Sequence, residues 1–230
     1  MARDTVGRWV TGPPGGPCGT LVPLPTGEQT AERPSTPPEE GTVPGPLRDA
    51  ARTRRALLDA AARSVVVHGA GVSLDTVARE AGVSKGGLMH HFRSKDELLG
   101  ALADDLFEQF TRAVEDRVDP DDVAPGRRLR AYVHATFDDL ERREEAVELA
   151  TLLATLGSFP EAARRSQDRY RHWNESLAED GVDPQRVLLV LRACDGVSIA
   201  PLFEGPLGRD ELATTRDLLL ALTRGEGPPA

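Results

Sequence analysis

The stretch SLDTVAREAGVSKGGLMHHFRSKDELL, residues 73–99, decides how the chain folds. Leu74, Val77, Ala78 and Ala81 recur at helical spacing and share one face. Ser73 before them reads as an N-cap, its hydroxyl accepting from a backbone N–H that the helix leaves unpaired. Gly82-Val83-Ser84 is a turn of three residues; the glycine permits a left-handed backbone and Ser84 caps the next helix. That helix is short, Lys85 to about His91, with Leu88 and Phe92 facing inward. Ser94 opens another, and Glu97 three residues later completes a capping box. Two short helices around a glycine turn, Leu74–Ala81 and Lys85–His91, make a helix-turn-helix.

That arrangement predicts a chemistry. The first helix braces the second, and the second presents its first residues to the major groove of double-stranded DNA. Ser84, Lys85, Gly86 and Gly87 are small or cationic, so this end can approach base edges, and Lys85 can donate to guanine O6 and N7. His90 and His91, at the far end, can donate to phosphates. Thr76, Lys95 and the N-termini of the second and fourth helices add further phosphate donors. The net charge of −9 suits such a partner poorly, but its distribution suits it well. Residues 48–100 carry nine Lys/Arg against six Asp/Glu, inside an otherwise acidic chain. Phosphate binding needs a local basic surface, not a basic whole. The chain has only two lysines, Lys85 and Lys95, and both fall in the quoted stretch.

Outward from that stretch the pattern stays helical. Leu57, Leu58, Ala61, Ala62, Val65 and Val66 form one apolar stripe, ended by His68-Gly69. Beyond Ser94, the apolar face runs through Leu98, Leu99, Leu102, Leu106 and Phe110. Further helices are marked by Leu129, Val133, Phe137 and Leu140, by Val147, Ala150, Leu153 and Leu156, and by Tyr170, Trp173 and Leu177. Asp183-Pro184 opens a strongly apolar helix from Gln185 to about Leu202, and a last one runs from about Asp210 to Thr223. The fold class is therefore all-α, with about nine helices. Three parts are expected: a Pro/Gly-rich disordered tail (1–46), a helix-turn-helix domain (47–95) and a helical ligand-binding and dimerisation domain (96–225).

The combination of an aliphatic first helix, the A-x-x-A-G-V-S turn, a short third helix ending in H-F and S-K-x-E-L opening the fourth resembles the DNA-binding domain of the tetracycline-repressor (TetR/AcrR) family over Arg54 to Leu106. The resemblance implies DNA contacts by Lys85, Gly87, Met89, His90 and Lys95, a phosphate contact by Thr76, and Phe92 in the core. Met89 stands where the family usually has an aromatic, and it cannot donate a hydrogen bond. The resemblance further implies a homodimer through the last two helices. It implies a cavity in each subunit for a small, largely apolar effector that releases a palindromic operator, the behaviour of a repressor. Polar anchors and walls for such a cavity are sought at His134, Phe137, His172, Trp173, Arg192 and Asp195. His134 and His172 also suit ordinary half-buried positions, and Asp195 suits either a buried pair or solvent.

Other classes are excluded by what the chain lacks. No nucleophile sits with a base, no phosphate loop occurs, and Cys18 and Cys194 cannot form a metal site by spacing, so neither an enzyme nor a cofactor is expected. No apolar run spans a bilayer, and Arg3 and Arg8 are followed by Pro and Gly rather than a signal-peptide core, which predicts a cytoplasmic protein on nucleoid DNA.

Overall fold

The computed structural model describes residues 2–3, 9–10 and 46–227. The expected disordered tail lies almost wholly outside the described residues, as does Cys18. Two compact units are distinguished, Met1–Thr53 and Arg54–Ala230. In the first, β1 (Ala2–Arg3) pairs antiparallel with β2 (Trp9–Val10), Ala2 opposite Val10. Helix α1 (Pro46–His68) begins there, with Arg52 paired to Asp49 at 3.0 Å.

In the second unit the local signals behave as the sequence predicts. The α1 stripe is buried, Leu57, Ala61 and Val65 completely, and the helix gives way to one 3₁₀ turn at Gly69–Gly71. Helix α2 (Leu74–Glu80) is capped by the Ser73 hydroxyl, which accepts from the Thr76 N–H at 3.1 Å. Gly82 turns with φ 70°, where a side chain would be strained. Helix α3 (Lys85–His91) is capped by Ser84, which accepts from the Gly87 N–H at 3.0 Å. Helix α4 (Lys95–Glu115) is capped by Ser94. The Glu97 carboxylate of its capping box reaches back one residue further than usual, accepting from the Arg93 N–H at 2.8 Å.

The remaining helices are α5 (Arg127–Glu141), α6 (Arg143–Gly157), α7 (Pro160–Ala178), α8 (Pro184–Ile199), α9 (Pro201–Glu204) and α10 (Arg209–Thr223). The helix expected from Gln185 to Leu202 is thus divided. Pro201 has no N–H to give back to the preceding turn, so α9 is a single turn set off from α8. The inward face of α6 also differs from the expected one. Leu152 is buried and Leu153 is exposed, because a Leu-Leu step offers two faces and the packing takes Ala146, Ala150, Leu152 and Leu156. Helix α5 begins at Gly126 with no side-chain cap of its own. Asp180, from beyond the far end of α7, caps it instead by accepting from the N–H groups of Arg128 and Leu129 at 2.8 and 3.1 Å.

Two apolar cores result, and they do not divide at residue 96. The first joins Leu57, Val65, Val77, Leu88, Phe92 and Leu99 to Leu152, Leu156 and Ala162, so the end of α6 and the start of α7 complete the core of α1–α4. The second joins Val114 to Tyr132, Phe137, Leu177, Val190, Cys194, Leu212 and Leu219. Helices α4, α6 and α7 contribute to both, and the seam of α4 on α7 is the most extensive among the described residues.

Substitutions on α6 and at the α3 cap test this packing. Leu156→Ala removes a side chain only 3% exposed and should cost about 2–5 kcal/mol in chemical denaturation, whereas Leu153→Ala, on the exposed side of the same helix, should stay within about 0.5 kcal/mol. Ser84→Ala should cost about 1 kcal/mol by loss of the α3 cap, with Ser84→Asp restoring most of it in the same melt.

Candidate nucleic-acid interface

Helices α2 and α3 form one surface. Ser84, Lys85, Gly86, Met89 and His90 are exposed on it, with Thr76, Gly87 and His91 partly so. Phe92 is buried, as its place in the motif requires, under the Arg54 guanidinium at 4.6 Å from the ring centroid. His90 and His91 meet edge to face, with ring centroids 5.6 Å apart. Thr76 shares a hydrogen bond with the Ser73 hydroxyl at 2.9 Å, which orients it at the start of α2.

The two lysines differ. The Lys85 ammonium pairs with the Asp75 carboxylate at 3.1 Å, and both side chains are more than 60% exposed. Such a pair contributes at most about 1 kcal/mol, so Lys85 is readily given up to a ligand. Lys95 is more constrained. Its ammonium donates to the Ala70 carbonyl at 2.9 Å and stands 4.9 Å from the centre of the Phe159 ring. It links the turn after α1, the start of α4 and the corner between α6 and α7. Asp75 was not singled out from the sequence. Its partner lies ten residues away on another helix, and periodicity within one helix cannot report such a pair.

The residues selected for the ligand region are spread out. Phe137 is buried in the second core, 1% exposed. His134 is exposed on α5. Arg192 and Asp195 pair with each other along α8 at 2.5 Å, both part-exposed. Burial raises the Asp195 carboxyl above its ordinary range, and Arg192 and the Tyr132 hydroxyl oppose that rise. The Cys194 thiol is pushed up to about 12, chiefly by burial, which leaves it neutral and unreactive. His172 and Trp173 do come together. With Phe107, Asp168, Arg169 and Ser176 they line an open depression of about 440 Å³ between α4 and α7. Phe107 meets Tyr170 and Trp173 edge to face, at 5.2 and 6.4 Å. Among the described residues, no group of three or more His, Cys, Asp or Glu is placed to hold a metal ion.

Known proteins agree with this architecture. Residues 57–102 match the family "Bacterial regulatory proteins, tetR family", and residues 126–224 match "Tetracyclin repressor-like, C-terminal domain". The HTH-type transcriptional regulator BetI of Agrobacterium fabrum is 35% identical over 118 residues, 50% of this chain and 54% of that protein. The chain thus spans about half the length of the curated relatives it matches. A TetR-family structure from Streptomyces coelicolor A3 superposes with a TM-score of 0.60 at 26% identity, covering 74% of this chain and 97% of the other. The regulator FadR of Bacillus subtilis, solved with stearoyl-CoA, shares the fold at a TM-score of 0.60 and 16% identity, over 75% and 98% of the two chains. Relatives and structures of this kind are transcriptional regulators and not enzymes. With its helix-turn-helix and its helical C-terminal region both matched, the chain belongs to the TetR family of DNA-binding transcriptional regulators.

Proposed function

We propose that the protein is a homodimeric repressor that leaves a palindromic operator when a small, largely apolar effector binds. The observation that carries the DNA-binding part is the exposed face of α2 and α3, where Lys85, Gly86, Met89 and His90 lie open to solvent above the first core. Thr76, Ser84, Gly87 and His91 border that face, and Lys95 stands at its edge. Release by an effector is supported by the shared cores. A ligand that displaces α7 acts on α4 and on the first core at once, because Arg165 and Arg169 of α7 both bond Asp104 of α4. The depression beside Phe107, His172 and Trp173 is the proposed entry for such a ligand. The relative solved with stearoyl-CoA supports a ligand with an apolar portion.

The dimer reading rests on exposed apolar side chains at the C-terminal end. Leu188, Leu189, Phe203 and Leu218 are 53–82% exposed on α8, α9 and α10, large apolar side chains that association of two subunits would cover. A two-fold contact through these helices would give the dimer two α3 helices, one for each half of a palindrome. No helix among the described residues is long and apolar enough to cross a membrane, and the proposed site of action is nucleoid DNA in the cytoplasm.

The test is a gel shift against DNA upstream of the protein's own gene, with and without amphipathic metabolites. Retarded DNA freed by a metabolite supports the reading; no retardation sinks it. Lys85→Ala should lower operator affinity with little change in melting temperature, because its pair is exposed. Lys95→Ala should weaken all duplexes alike, flatten the salt dependence and lower the melting temperature, because the same ammonium holds Ala70 and Phe159. Leu189→Asp combined with Phe203→Asp should give a monomer by light scattering, with operator affinity falling alongside.

A further inference from the structure

Asp75 is out of place on a surface that meets a polyanion. Its carboxylate projects from the first turn of α2, more than 60% exposed, and repels phosphates brought near it. The fold has little need of it there. Ser73 already caps the helix, and an acid in the first turn adds only a modest interaction with the helix dipole. Its partner is Lys85 Nζ, from the first residue of α3, at 3.1 Å. Two separate helices thus set a cationic donor and an anionic acceptor side by side, on the face that the proposed function turns toward DNA.

We propose that Asp75 is a specificity-determining residue, and that Asp75 and Lys85 read one G·C base pair together in each half-site. Lys85 donates to guanine O6 and N7, and Asp75 accepts from the N4 amino group of cytosine. In the major groove O6 and N4 lie next to each other, joined by a hydrogen bond within the base pair. A donor and an acceptor held at hydrogen-bond distance match that edge in scale and in order. The inverted C·G pair and the A·T pair present the opposite order, which sets the carboxylate against acceptors. The T·A pair keeps the order but replaces guanine N7 by the thymine methyl, so the ammonium loses one acceptor and meets an apolar group. Gly86 carries no side chain beside Lys85, and Ser84 Oγ, at 3.9 Å, is the nearest side-chain atom to where its Cβ would stand, so this position adds no bulk next to the lysine. On other sequences the carboxylate meets no donor from the base pair and still offsets the charge of Lys85, which lowers non-specific binding and so widens discrimination.

The inference rests on the DNA-binding reading, and one experiment separates their failures. Preferred sites are selected from a random duplex pool with the wild-type protein, Asp75→Ala, Asp75→Asn and Lys85→Ala, and affinities are then measured at fixed salt. The wild type should require G·C at one position per half-site, other pairs there costing about tenfold or more. Asp75→Ala should reduce that preference to a few-fold, leave other positions unchanged and strengthen binding to unrelated duplexes. Lys85→Ala should relax the same position. Asp75→Asn should move the preference there toward adenine, which asparagine contacts through N6 and N7. Thermal melts of each variant confirm folding, and the exposure of Asp75 makes a large loss unexpected. The proposal is overturned if Asp75→Ala keeps the full G·C requirement, weakens every duplex equally, or relaxes a position that Lys85→Ala does not. A wild-type protein that selects no sequence brings down the DNA-binding reading itself.

Discussion

Asp104 accepts from Arg169 at 2.7 Å and from Arg165 at 3.1 Å, and the seam of α4 on α7 that surrounds these bonds holds both cores in one piece. The register is narrow. A methyl group at Gly100 would lie 2.8 Å from Arg165 Nε, so the guanidinium crosses α4 where α4 has no side chain. Each ion pair is partly exposed and contributes about 1 kcal/mol or less. Burial supplies more, at roughly 1.5–3 kcal/mol for each fully enclosed Leu or Phe. The charges therefore fix the relative position of the two helices, and the apolar contacts supply most of the stability.

The parts of the fold that were legible in the sequence are those decided by neighbours in the chain. The caps at Ser73, Ser84 and Ser94 and the left-handed Gly82 lie where the residues themselves demand them, and α3 runs over the expected Lys85–His91. Contacts between distant residues were not legible. Nothing near Gly126 announces that Asp180 caps α5, and the Leu152-Leu153 step does not say which leucine faces inward. The pairing of Arg192 with Asp195 is local, so the two alternatives for Asp195 resolve to a part-exposed ion pair on its own helix.

The candidate interface divides in the same way. That residues 84–91 form an exposed, capped helix is written in their types and spacing. The use of each cation is not. Lys85 and Lys95 look equivalent in the sequence, yet one is held by a solvated carboxylate and the other by a carbonyl and an aromatic ring from remote elements. Solvation separates them, and it depends on the completed packing.

The sharing of the first core bears on modularity. Leu152, Leu156 and Ala162 close over Leu57, Leu88 and Leu99, so the DNA-reading part does not own a complete interior. Excised at the start of α4, it would expose that apolar floor to water. Transplanted onto a foreign effector region, it would need a corner of matching shape between the sixth and seventh helices. An exchange of parts would therefore have to carry this corner and its socket together, and a chimaera made by a single cut in α4 would inherit a mismatch at its centre.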